Sequence, residues 1–112
     1  HAHQTAQEGQ QPFDWVAVVT ERAEAHGVAP GPLLRLVVCE SRGDPLAVGD
    51  HGTSWGLVQL STLRTGLYWH FLAVGYEDAF DGWQAADYVA RVAAGEWWPG
   101  VRLSRWSCYW RQ

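Results

Sequence analysis

A chain of 112 residues is long enough for one hydrophobic core and too short for two independent domains. Hydrophobic residues make up 47% against 18% charged, and eight tryptophans are present, so the composition is globular and the indoles serve a core, a sugar-binding cleft or both. The net charge is −4 with no lysine, which argues against nucleic acid as a partner because phosphates demand a basic footprint.

No apolar run approaches the roughly 20 residues that a membrane-spanning helix needs, and the longest, Leu33 to Cys39, is interrupted by Arg35, so no membrane partner is expected. With no initiating methionine and no apolar leader, the sequence reads as a mature or trimmed product. Isoleucine, methionine, asparagine and lysine are all absent, the amino acids whose codons begin AT or AA, which points to a GC-rich gene.

Residues 1–11 are polar, lack an apolar period and read as a flexible arm, in which His1 and His3 are a weak metal signal; residues 12–112 read as the single folded domain. From Asp14 to His26, Trp15, Val18, Val19 and Ala23 fall on one helical face and Gly27 supplies a stop. Pro30 and Pro32 then open a second helix, where proline is tolerated because first-turn amides have no partner, and it runs to about Ser41. Continuing its stripe of Leu33, Leu36 and Val37 lands on Glu40, at the C-terminal edge of the buried face.

Gly43 to Gly56 is rich in glycine, with Pro45, Asp44 and Asp50, and suits an irregular loop or short hairpin. Leu57 to Val74 reads as helix in two pieces broken near Gly66. Asp81 is a good N-cap with Gln84 three places on, and Trp83, Ala86, Val89, Ala90 and Ala93 give a stripe that ends at Gly95. The tail from Glu96 carries Trp97, Trp98, Trp106 and Trp110, and is locally positive through Arg102, Arg105 and Arg111. Cys39 and Cys108 are either one disulfide or two buried thiols. His51 and His70 have no ligand partners at metal spacing, so neither a metal nor another cofactor is expected.

A glutamate that closes an apolar stripe either turns to solvent or sits where burial disfavours its charged form and raises its pKa. In the second case it can donate a proton to a leaving glycosidic oxygen. The string Glu40-Ser41, Pro45-x-Ala47 and Ser54-x-Gly56-Leu57-x-Gln59 resembles the lytic transglycosylase and goose-type lysozyme family. That family's pattern is Glu-Ser closing a helix, a Pro-x-Ala turn, then Gly-[Ala/Ser]-x-Gly-Leu-x-Gln. Here Gly52 stands in place of the immediately preceding glycine. Cys39 beside Glu40, with the late Trp106-Ser107-Cys108, also resembles the small resuscitation-promoting and actinobacterial wall lysozymes, and that likeness implies the Cys39–Cys108 bridge.

The resemblance implies a mainly α, α+β lysozyme-like domain whose central helix carries Glu40 and whose Gly43 to Gly56 segment forms one cleft wall. It implies an enzyme that cleaves the β-1,4 bond between N-acetylmuramic acid and N-acetylglucosamine of peptidoglycan, with Glu40 as general acid and then base. Ser41, Ser54 and Gln59 would line the cleft, Gly56 and Leu57 would shape its floor, and Tyr88, Trp55, Trp69 or Tyr68 would stack on sugars or pack a core. Asp50 matches an aspartate that helps hold the attacking water in goose-type enzymes, or it forms a loop Asx-turn. The family's further aspartate, two places after the glutamine, is Ser61 here, and the interval from Glu40 to Asp50 is shorter. Implied too are a monomer acting on glycan strands, and a secreted, wall-associated or phage-delivered location. The rival expectation is a non-catalytic wall-binding or assembly module that keeps the fold.

Overall fold

The computed structural model describes residues 12–111. The polar arm expected over residues 1–11, with His1 and His3, lies outside the described residues. Helix α1 (Trp15–Ala25) begins at Asp14, whose carboxylate accepts from the Ala17 amide at 3.1 Å. That bond satisfies one of the donors that a helix start leaves without a partner. Helix α2 (Pro30–Ser41) has both prolines in its first turn and buries Leu33, Leu36 and Val37. It ends through Arg42 and Gly43, both left-handed. A Cβ on Gly43 would fall 2.2 Å from the Trp15 indole nitrogen, so only glycine lets α1 and this turn meet.

The Gly43 to Gly56 segment is the short hairpin that its turn composition suited. Strands β1 (Val48–Gly49), β2 (Ser54–Trp55) and β3 (Leu60–Ser61) form an antiparallel sheet in that order, with Val48 opposite Trp55 and Trp55 opposite Leu60. The helix expected to start at Leu57 is corrected here: Leu57 to Gln59 make a turn and β3 follows. Gly56 and Gln59 both have positive φ, 86° and 52°, which stops helix propagation. Leu57, Val58 and Leu60 are all fully buried, so the apolar run reflects burial on every side and not a helical stripe. The second expected piece is helix α3 (Leu67–Ala73).

Helix α4 (Gly82–Ala93) starts at Asp81, which accepts from the amides of Trp83 and Gln84. Gln84 also engages this helix start. Its amide nitrogen donates to Asp81 and its oxygen accepts from the backbone amides of Glu77 and Asp78, which fixes the entering loop. Two short 3-10 turns, Leu103–Arg105 and Ser107–Arg111, complete the described chain.

The core gathers around Tyr88, whose ring meets Phe71, Tyr76, Trp97 and Trp106. Trp106 reaches across to donate its indole N–H to the Val58 carbonyl at 2.7 Å, which ties the C-terminal segment to the sheet region. Beside this lies a buried polar knot: Asp87 accepts from Arg22 at 3.0 Å and from Tyr76 at 2.7 Å, and meets His26 at 2.7 Å. A carboxylate removed from water needs such partners, and these lock α1 onto α4. No described helix is long and apolar enough to cross a membrane.

Candidate active site

Glu40 occupies the last turn of α2 and is half-buried. Helix α2 brings it to the place where two other parts of the chain converge. The Cys39–Cys108 disulfide, with 5.9 Å between Cα atoms, holds the C-terminal turn against α2. As a result the Cys108 amide faces the Glu40 carboxyl and donates to it at 3.4 Å. From the sheet side, Ser41 donates to the Leu57 carbonyl at 2.7 Å and accepts from the Gly43 amide at 3.2 Å, which ties the helix end to the turn between β2 and β3.

Burial is the largest influence on the Glu40 carboxyl and pushes its pKa up, with the Asp50 charge acting in the same direction. The Cys108 amide and the positive charges of Arg64 and Arg111 oppose this, and the result is a value of about 7. The negative end of α2 further disfavours an anion there. Glu40 therefore holds a proton in a large share of molecules at neutral pH, the condition a general acid needs.

Asp50 stands on the hairpin with its carboxylate exposed to solvent. Ser54 donates to it at 2.5 Å, and Arg64 lies 4.0 Å away. Asp50 and His51 are consecutive left-handed residues, φ 52° and 57°, an arrangement that is sterically costly outside glycine. The hairpin tip thus spends backbone strain to present Asp50, with the Trp55 indole tied to Gly52 at 2.8 Å beneath it.

The remaining expected residues divide by accessibility. Ser54 is fully buried and serves as the donor that orients Asp50. Gln59 uses its amide nitrogen on the carbonyls of Ala47 and Gly56, which holds the hairpin closed. Gly56 is obligatory, since a Cβ would fall 2.0 Å from the Ala79 carbonyl oxygen, and Leu57 is buried below it. Tyr88, expected to contact substrate, is corrected to a core residue: it is 0% exposed and its hydroxyl meets the His70 ring at 2.9 Å, so no face is free for a sugar. Trp55, Tyr68 and Trp69 form a run of edge-to-face rings, with centroids 5.0 and 5.1 Å apart, and Trp69 is exposed.

Two contributors have no signature in the sequence. Arg64 stands after the sheet and reaches Asp50, and the Cys108 contribution is a backbone amide, which no residue type announces. Among the described residues, no group of three or more His, Cys, Asp or Glu side chains is placed to hold a metal ion. No protein-family model, no curated protein and no solved structure matches this chain.

Proposed function

We propose that this chain is a lysozyme-like enzyme that cleaves the β-1,4 bond between N-acetylmuramic acid and N-acetylglucosamine in peptidoglycan. The observation that carries the reading is the Glu40 carboxyl, raised by burial to about 7 at the end of a helix that the Cys39–Cys108 bridge pins to the C-terminal turn, with the charge of Asp50 on the strained hairpin pushing in the same direction. Protonated Glu40 gives its proton to the glycosidic oxygen as the C1–O bond breaks, and positive charge develops on the sugar ring. The now anionic Glu40 then takes a proton from the incoming nucleophile. With water as that nucleophile, held by Asp50, the product has a reducing end. With the sugar's own 6-hydroxyl, a 1,6-anhydro ring closes and Asp50 is not needed.

The motif Glu40-Ser41, Pro45-x-Ala47 and Ser54-x-Gly56-Leu57-x-Gln59 supports the same assignment. In this reading Ser41, Ser54, Gly56, Leu57 and Gln59 act by building the cleft wall, and Trp69 offers an exposed ring for a sugar face. The protein works as a monomer outside the cell, on the wall or delivered to it. The test is incubation with purified cell walls followed by mass spectrometry of the soluble products. Released muropeptides are the expected result, and their ends, which differ by one water, assign hydrolysis or transglycosylation. Wall binding without release would overturn the proposal in favour of a non-catalytic wall module.

A further inference from the structure

The C-terminal segment does two things at once. It presents Cys108 to Glu40, and on the following residues it presents the rings of Tyr109 and Trp110 to a separate groove of about 500 Å³. That groove lies between the end of α4 and the two 3-10 turns, with Val92 and Leu103 among its lining, and Glu40, Asp50 and Trp55 do not line it. Its size falls within the range of about 300–1,000 Å³ common to small-ligand sites.

Trp98 is 65% exposed and Trp110 72%, the most exposed tryptophans among the described residues, and both line this groove. Indoles that only filled a core would resemble Trp106, at 2%. Each exposed ring is also fixed. Trp110 donates its indole N–H to the Ser104 carbonyl at 3.1 Å and meets Tyr109 edge-on at 5.0 Å. The Arg102 guanidinium sits over Trp98, 5.3 Å from the ring centre. Rings ordered before binding lose little freedom when a ligand arrives. An aromatic face suits the C–H face of a sugar, and a guanidinium beside it suits a carboxylate, which it can grip through a two-pronged hydrogen bond.

The geometry points to a second glycan-binding site in this groove, one that takes a carboxylate-bearing sugar strand, with Trp98 and Trp110 as platforms and Arg102 as the anion contact. The choice of ligand rests on the wall-cleaving reading; the site itself does not. A strand held here keeps the enzyme on its polymer between cleavage events.

The experiment uses Glu40→Gln as the background, so that retention on insoluble cell walls is read without cleavage. Trp98→Ala and Trp110→Ala are each expected to weaken retention about tenfold, since a well-used aromatic anchor contributes on that scale. Arg102→Gln is expected to weaken binding to acidic cell walls while leaving binding to neutral chitin unchanged. Should a tryptophan variant fail to fold, titration of the background protein with soluble muropeptides gives the same reading: the Trp98 and Trp110 indole N–H resonances shift together with ring-current changes at Tyr109. Retention equal to the background in both tryptophan variants overturns the site. So does a concentration-dependent dimer that the variants abolish, because the groove would then hold a second copy. Parent protein that binds walls through these tryptophans without cleaving them would leave the groove standing and overturn the catalytic reading. Cleavage with tryptophan-independent binding would do the reverse.

Discussion

Replacing Glu40 with glutamine is expected to make the protein more stable at alkaline pH while removing the proton that the proposed chemistry needs. Glu40 is held near 7 against an ordinary value of 4.5, chiefly by burial. The folded state therefore binds more protons than the unfolded state between those values, so stability falls as pH rises through this window. At about 1.4 kcal/mol per decade the full difference amounts to about 3 kcal/mol. Solvent reaches the outer side of the half-buried carboxyl, and screening there brings the figure to about 1–2 kcal/mol. Glutamine has the same reach, can still accept from the Cys108 amide and never ionises. At pH 8 the variant should melt about 4–8 °C above the parent, and at pH 4, where Glu40 is protonated in both states, the gap should close. Calorimetry across this range checks it. A variant no more stable than the parent at pH 8, or a gap that persists at pH 4, would refute the claim that burial holds Glu40 in its neutral form.

Three further outcomes follow from the geometry. Cys39→Ser with Cys108→Ser opens a loop of 69 residues and should cost about 4 kcal/mol in urea unfolding, and titration of the denatured, unreduced parent should find no free thiol; a loss under about 1 kcal/mol would contradict the role given to the bridge. Gly56→Ala places a methyl against the Ala79 carbonyl at positive φ and should destabilise by about 2–4 kcal/mol, measured by thermal melting. Asp50→Asn, a residue that tolerates the left-handed backbone there, should slow wall lysis less than Glu40→Gln does; equal losses would make Asp50 an essential base and assign hydrolysis.

Local signals carried much of the helical framework into the sequence. Pro30 and Asp81 sit at helix starts in the structure as their chemistry suggested, because capping and first-turn preferences act within a few residues, and α1 starts where its apolar period began. The position of Glu40 on its helix was legible for the same reason. Leu57 to Ser61 was not: a segment buried on all sides has no period, so its strand depends on a sheet partner and on the left-handed Gln59. Tyr88 also misled, since a tyrosine on a helix reads alike in a cleft or a core, and only the surrounding rings place it at 0% exposure. The Asp87 knot joins Arg22, His26 and Tyr76 from distant parts of the chain, a convergence created by packing alone. Arg64 and the Cys108 amide reach the candidate site in the same way.

The central claim is that Glu40 supplies the proton for glycosidic cleavage, and the rate of cell-wall lysis by Glu40→Gln beside the parent tests it most directly. General acid assistance is worth about 10²- to 10⁴-fold, so lysis by the variant should fall at least about a hundredfold while its melting profile confirms an intact fold. A well-folded variant that still lyses walls at more than about a tenth of the parent's rate would contradict the account, because assistance of that size cannot be lost at so little cost.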